Sequence, residues 1–480
     1  MQHIHVNDLL GQAQEHHNKG RFKEAEAMYN AILSRHMDDA SILYLLGTLY
    51  MQMGKNGLAR LLLESSLKRK PGDHNAWNHL GICYKVEFFK EKAGMCFDKA
   101  SRLAPDDANY PSNWAGCFIN EGMPDRAIEL ADKALEIQPD NTQAKWHKGL
   151  ALLEKQDWSA WDLMEHRLDP RSGCNTAIRN YADDGMTPWW DGKSKGLVAI
   201  HGEQGIGDEV MFSTCIEDAV ATGAEIVFEC TPRMASLFDR SLPCKVVGTH
   251  QLDGKEWRNG RKVDYKCAVG SLGKLFRPSD QSFPGKPYLK PNPRRMRHWK
   301  KMLAQLDRKP KIGLAWQGGV PSTRLDLRTI PLQSLEPLLR QNATFVSLQY
   351  TKHAQDEVNA LKEQTGLQIL HWKAANSQHL ITKDQQLTDV EFGQMDDYAA
   401  LVSSLDLVIS VCQTAIHIAG GLGVPCWCLT PYAPAWRYGV TGNMPWYDSV
   451  TLIRQKDADW APVIQQVSNM LELELKSKAA

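Results

Sequence analysis

The stretch Leu197-Val-Ala-Ile-His-Gly-Glu-Gln-Gly-Ile-Gly-Asp-Glu-Val-Met211 decides how the larger part of the chain is read. A short apolar run ends in a turn with three glycines, Gly202, Gly205 and Gly207, and then enters a helical pattern opened by Asp208 and Glu209. A strand that feeds a helix through such a turn puts the turn at the carboxyl edge of a parallel sheet, where α/β proteins bind ligands. Taken alone, the glycines are equally compatible with nothing more than a tight connection.

Downstream, the alternation continues. Leu197–Ile200 reads as a strand, Val210–Thr222 as a helix, Glu225–Cys230 as a strand, Pro232–Arg240 as a helix and Lys245–Val247 as a strand. A proline- and glycine-rich join from Phe276 to Pro293 follows, and the pattern restarts. Strands are expected at Lys311–Trp316, Thr344–Gln349, Leu407–Val411 and Val424–Leu429, with helices at Leu332–Arg340, Asp397–Ser404 and Thr414–Leu422. Strands alternating with helices argue for parallel sheets covered on both faces. Two such units form a cleft where their carboxyl edges face each other. The final segment, Asp459–Leu475, has helical apolar spacing and is expected to cross back onto the first lobe.

Upstream the texture is different. Ala25, Ala59, Ala93 and Ala127 recur at a step of 34, as do Pro71, Pro105 and Pro139, and Gly47, Gly81, Ala115 and Gly149. Leu43, Leu46, Gly47 and Tyr50 return as Trp77, Leu80, Gly81 and Tyr84. Small residues at fixed points let paired helices approach, large ones fill between them, and the proline ends the second helix. This resembles the tetratricopeptide repeat over roughly residues 6–140, with a degenerate unit starting near Thr142. Such arrays stack into a solenoid, and the resemblance implies a protein or peptide on the concave face. A scaffold that only props the next domain is the plainer reading.

Bulk properties narrow the function classes. The chain has 480 residues, 43% of them hydrophobic, enough for several cores. Lys+Arg and Asp+Glu both total 56, which removes the bulk positive charge expected of a nucleic-acid binder. No apolar run reaches the ~18 residues of a membrane span, and the N-terminus lacks a secretory pattern. The eleven cysteines show no paired metal-ligand spacing, and Cys426 and Cys428 are expected to pack on one strand face. A cytoplasmic protein with reduced thiols fits these features.

Five pieces in order then carry a family resemblance: Gly202–Asp208, Phe345–Gln349, Leu407–Val411, His417–Pro425 and Thr430–Arg437. Together they are similar to the heptosyltransferase-like glycosyltransferases of GT-B fold, and in particular to bacterial proteins that fuse this domain to tetratricopeptide repeats. The expected class is α + α/β, a repeat solenoid followed by two Rossmann-like lobes with an interlobe cleft. The expected divisions are a repeat array over 1–155, a closing helix and linker packed by Trp189 and Trp190 over 156–192, an acceptor-side lobe over 193–293, a nucleotide-sugar lobe over 294–458 and a terminal helix over 459–480.

The resemblance implies a nucleotide-diphosphate sugar as co-substrate, no separate cofactor, and inverting chemistry. A transferase must deprotonate its acceptor and stabilise a departing diphosphate. Asp208 matches the acidic residue that serves as the family's base, though a helix-capping acid is the alternative, as is Glu209 as base. His201, Glu203, Gln204 and Gly205 flank the turn on the acceptor side. For the diphosphate, Gln413 and Thr414 open a helix after a strand, and His417 lies one turn in. Arg328 matches the family's phosphate-neutralising residue in the segment Thr323–Arg328, with Arg324 second and a plain surface loop as the alternative. Gln349 is expected to touch the donor, and Tyr432, Trp436 and Arg437 to bound its pocket or pack the lobe interface. Many relatives have Asp-Thr where this chain has Cys412-Gln413, which puts the donor's identity in doubt. There is no Asp-x-Asp motif in a suitable loop, so metal-independent transfer is expected.

The fusion itself points to a protein acceptor, with flagellin or another surface protein as analogies. A saccharide or lipid-linked acceptor is the alternative, and a binding scaffold with a degenerate transferase lobe belongs to another class. A dinucleotide oxidoreductase fits poorly, because glycines at 202, 205 and 207 run in the wrong order for its fingerprint.

Overall fold

The computed structural model describes residues 6–479 except 175, 177, 184, 320–323, 352 and 373–393. Thr323, expected in the phosphate-binding segment, lies outside the described residues. The chain divides into two compact units, 1–152 with 171–173, and 153–170 with 174–480.

The first unit is a stack of helices: α1 Val6–Asn18, α2 Phe22–Leu33, α3 Ala40–Gln52, α4 Asn56–Arg69, α5 His74–Val86, α6 Lys90–Leu103, α7 Asn109–Asn120, α8 Pro124–Ile137 and α9 Thr142–Glu154. The 34-residue step has a steric cause. Ala25, Ala59, Ala93 and Ala127 are fully buried between paired helices. A Cβ on Gly47 would stand 3.0 Å from Leu63, and one on Gly81 would stand 2.8 Å from Phe97. Capping repeats at the same step: the side chains of Asp39, Asp73, Asp107 and Asn141 accept backbone N–H bonds from Ser41, Ala76, Asn109 and Ala144.

The second unit contains two sheets, each wholly parallel. The first comprises β1 Leu197–His201, β2 Glu225–Cys230, β3 Lys245–Gly248 and β4 Tyr265–Ala268, in the order β3-β2-β1-β4. The other comprises β5 Lys311–Ala315, β6 Thr344–Ser347, β7 Ile369–Leu370, β8 Leu407–Val411, β9 Cys426–Thr430 and β10 Val450–Arg454, in the order β10-β9-β8-β5-β6-β7. In both, the chain steps outward over three strands and then returns to the far side of the first. That is the Rossmann-like order, and it opens a crevice at the carboxyl end between the first and fourth strands. The strands are buried end to end in β1, β5 and β8, as expected when both faces are covered.

Helix boundaries follow local chemistry. The span expected as one helix over Val210–Thr222 is two, Ile206–Ser213 and Ile216–Ala221. Leu332–Arg340 is a 3-10 turn followed by a short helix Glu336–Leu339, which has Pro337 in its first turn. In the connecting stretch, Trp158 donates to Asp280 (2.6 Å) and Trp161 to the Arg277 carbonyl (2.8 Å), both within the second unit. Trp190 is buried, whereas Trp189 remains 43% exposed.

The terminal helix Ala461–Ala479 corrects the expectation that it crosses to the first lobe. Val463, Ile464, Val467 and Leu471 join the core of the second sheet with Ile312, Leu335, Leu338 and Ile453. Gln341 fixes it further, donating to the Ser468 carbonyl at 2.6 Å. One apolar stripe can serve only one lobe, and the second sheet takes it.

Candidate functional site

The carboxyl edges of the two sheets meet. Asp208, in the first turn of Ile206–Ser213, pairs with Arg437, which lies in the loop after β9. The approach depends on Gly207, where a Cβ would stand 3.1 Å from His417 of the Thr414–Leu422 helix. A second ion pair spans the lobes, Arg240 with Asp396.

On the first sheet the crevice is filled by the protein itself. Glu203 accepts from Arg167 Nη2 at 2.6 Å and from the Gly270 N–H at 2.8 Å, and both charged side chains are buried. A Cβ on Gly270 would fall 2.3 Å from that carboxylate, so the glycine makes room for the pair. Glu209 turns away from the cleft and accepts from the Thr231 N–H (3.0 Å) and Oγ1 (2.8 Å). Burial raises its pKa, and the Thr231 bonds oppose that shift. His201 is fully buried at the end of β1 with no hydrogen-bond partner for either ring nitrogen. Burial, with the positive charges of Arg179, Lys266 and Arg167, lowers its pKa to about 3. Gln204, at φ 62°, and Gly205 are exposed. Of the residues expected around this turn, Asp208 is the one whose side chain reaches the facing lobe.

On the second sheet the crevice lies between β5 and β8. Gln349 organises its wall: its amide oxygen accepts from the N–H groups of Trp316 and Gln317 (both 3.1 Å), and its amide nitrogen donates to the Gln317 carbonyl (3.0 Å). This side chain is spent on the loop. Gly318 lets that loop press on the one after β8, since a Cβ there would stand 2.6 Å from the Cys412 carbonyl. Arg328 donates to the same carbonyl at 3.3 Å. Gln413 caps the Thr414–Leu422 helix in extended conformation, yet its amide oxygen and nitrogen are both buried without a partner.

Positive charge collects at this edge. Burial pushes the Cys412 thiol up, but its bond to Cys428 and the charges of Arg328, Arg437 and Arg454 bring it net below its usual value. Burial works against the Arg437 charge and Asp208 outweighs it, so that guanidinium is held charged more firmly than usual. Its Nε is buried and unpartnered. Arg454 braces the same loop by donating to the carbonyls of Tyr438 (2.8 Å) and Gly439 (2.6 Å).

Other expected residues have structural partners. His417 is buried between the hydroxyls of Tyr438 (3.1 Å) and Tyr447 (3.4 Å), and burial with Arg437 lowers its pKa to about 3. A neutral, doubly bonded imidazole carries no charge for a phosphate. Trp436 packs on Phe212 (6.0 Å) and Trp161 (5.8 Å). Arg324, at φ 60°, donates to the Pro434 carbonyl at 3.3 Å, and the Tyr432 N–H to Gln455 at 3.2 Å.

Two residues at this edge escaped sequence reasoning. Arg233 follows β2, and Tyr350 follows β6. Burial raises the Tyr350 hydroxyl's pKa, while Arg233, Arg328 and a Thr414 hydrogen bond oppose that, so these four groups converge. Arg233 Nε is buried and unpartnered, and burial lowers the arginine's pKa. Their signal was position alone: each lies just beyond the carboxyl end of a parallel strand.

Comparison with known proteins fits this anatomy. A tetratricopeptide-repeat family profile matches residues 18–81. Protein FlbA of Caulobacter vibrioides is 29% identical over 443 residues, spanning 88% of this chain and 70% of FlbA. The chain is a tetratricopeptide-repeat protein related to FlbA. Its relationship to FlbA runs through the repeats and into the α/β part, since the match is far longer than the repeat array. Human tetratricopeptide repeat protein 7A is 31% identical over 93 residues, 19% of this chain and 11% of that one. Among solved structures, MamA is 21% identical with a TM-score of 0.31, covering 36% of this chain and 97% of its own. YrrB, described as a TPR protein with an unusual peptide-binding site, is 19% identical with a TM-score of 0.30, covering 34% and 88%.

Proposed function

We propose that this protein is a glycosyltransferase that moves a sugar from a nucleoside-diphosphate donor to a protein acceptor recruited by the repeats. The observation that carries the reading is the convergence of Arg328, Thr414 and the unpartnered amide of Gln413 at the crevice of the second sheet, facing Asp208 across the lobes. Cationic groups and the free N–H groups of a helix N-terminus suit a diphosphate. The filled crevice on the first sheet supports the second as the donor's side in this reading.

In this reading the donor's phosphates draw Arg437 away from Asp208. Asp208 then takes the proton from the acceptor hydroxyl as its oxygen bonds to the anomeric carbon, and the bond from that carbon to the phosphate oxygen breaks. The leaving diphosphate is neutralised by Arg328, Arg437 and the helix N–H groups, so one in-line displacement inverts the anomeric centre. Gln349, His417 and Glu203 act as positioning residues for these loops. Asp208→Asn is expected to lower turnover about 10²–10⁴-fold while donor affinity persists. Unchanged turnover in that variant would remove Asp208 from the chemistry.

A second reading is a binding scaffold whose transferase part is inactive. It is favoured by Cys412-Gln413 standing where the heptosyltransferase-like resemblance implies Asp-Thr, and by Asp208 being tied up by Arg437. Absence of binding to any nucleotide sugar would favour it.

A further inference from the structure

The helix Pro293–Leu306 that opens the second lobe departs from the rest of the surface. Elsewhere, several surface cations in or beside helices are matched to an acid one turn away, as in Lys19–Glu15, Arg60–Glu64, Arg102–Asp98, Arg340–Glu336 and Lys476–Glu472. Between Lys290 and Lys309 there are eight Lys and Arg against one acid, Asp307, and that acid is taken by Lys311. The chain as a whole has no net charge, so this is a local concentration and not a bulk excess.

Geometry separates the cations into two sets. Trp299 and Leu303 are buried, and Arg295 leans inward to Asp397 at 2.5 Å, as does the Trp299 N–H at 2.9 Å. On the opposite side of the same helix, Arg294, Arg297, His298 and Lys301 are all exposed. Their spacings of three and four residues put them in one row. Arg297 and Lys301 stand one turn apart, an arrangement that destabilises an isolated helix. Among the described residues no acid pairs with Arg294, Arg297, Lys300 or Lys301. The helix's apolar side is already used by the core, which leaves charge as the only means of attachment on the outer side.

We propose that this row docks the protein on an anionic phospholipid surface. The helix exposes no phenyl, phenol or indole ring, since Trp299 is buried, so it lacks the aromatic platform on which single-stranded bases stack. Phospholipid headgroups supply negative charge over an extended face, which such a row meets without insertion. Attachment is then electrostatic, reversible and weakened by salt. No residue of the sugar-transfer site takes part.

The test uses the full chain in co-sedimentation with vesicles of phosphatidylcholine alone and of phosphatidylcholine mixed with phosphatidylglycerol. Binding is expected to the mixed vesicles only and to fall as salt rises. Arg297→Gln with Lys301→Gln is expected to weaken it about 30-fold, with circular dichroism unchanged. Failure of the wild-type chain to sediment with mixed vesicles would overturn the proposal, whether or not it captures nucleic acid or an acidic peptide instead. Equal binding of the folded double variant and the wild type would overturn it as well.

Discussion

Asp208 and Arg437 form the ion pair on which the functional reading turns, but the buried groups behind it carry their own consequences. Glu154 is 1% exposed, and burial raises its pKa to about 8 despite the opposing charge of Arg324. The carboxyl is therefore neutral in the folded protein at neutral pH. Because its folded value lies above the unfolded one of 4.5, the stability it contributes is present below 4.5 and is lost as pH rises towards about 8. Glu154→Gln is expected to raise the melting temperature at pH 8 and to leave it nearly unchanged at pH 4. Equal shifts at both pH values would contradict this. His201 and His417 have the opposite sense. Each stays neutral in the folded state down to about 3, whereas the unfolded chain protonates near 6.5. Each lowers stability by about 1.4 kcal/mol per pH unit as pH falls through that window.

At the scale of elements, glycine does the work that allows close approach. Gly81 faces the ring of Phe97 between α5 and α6, so Gly81→Leu is expected to destabilise the first unit by about 1–3 kcal/mol, read as a shift of its thermal transition. Gly318→Val meets the Cys412 carbonyl, which is backbone and cannot step aside. That variant is expected to lose nucleotide affinity with the first unit's transition unmoved; retention of affinity would remove this loop from the donor site.

The sequence made the elements legible where their cause is periodic. The 34-residue step exposed the repeats because alanine and glycine recur wherever helices touch, and the alternating apolar runs exposed the parallel strands. The terminal helix packs on the second sheet rather than on the first lobe, and an apolar stripe such as Val463, Val467 and Leu471 shows only that a helix is covered, not by which sheet. Of the candidate site, the sequence shows which residues sit beside turns after strands, but not what their side chains touch. Gln349, Glu203 and His417 lie near the carboxyl edges of the sheets, and their partners are loop N–H groups, Arg167 and two tyrosines contributed by distant segments. Arg233 and Tyr350 carry no motif, and only the assembled strand order brings them to the cleft.

For the whole molecule, the division into a repeat unit and an α/β unit predicts two calorimetric transitions. A nucleoside diphosphate at 100 times its dissociation constant should stabilise the α/β transition by about 2.7 kcal/mol and leave the repeat transition in place. Gly81→Leu identifies which transition is which. The most direct test of the central claim is isothermal calorimetry of the full chain against a panel of uridine, guanosine, thymidine and cytidine nucleotide sugars. One donor is expected to bind, and Arg328→Ala is expected to weaken it at least about tenfold. Failure of every donor to bind, or equal binding by wild type and Arg328→Ala, would contradict the assignment of the donor site.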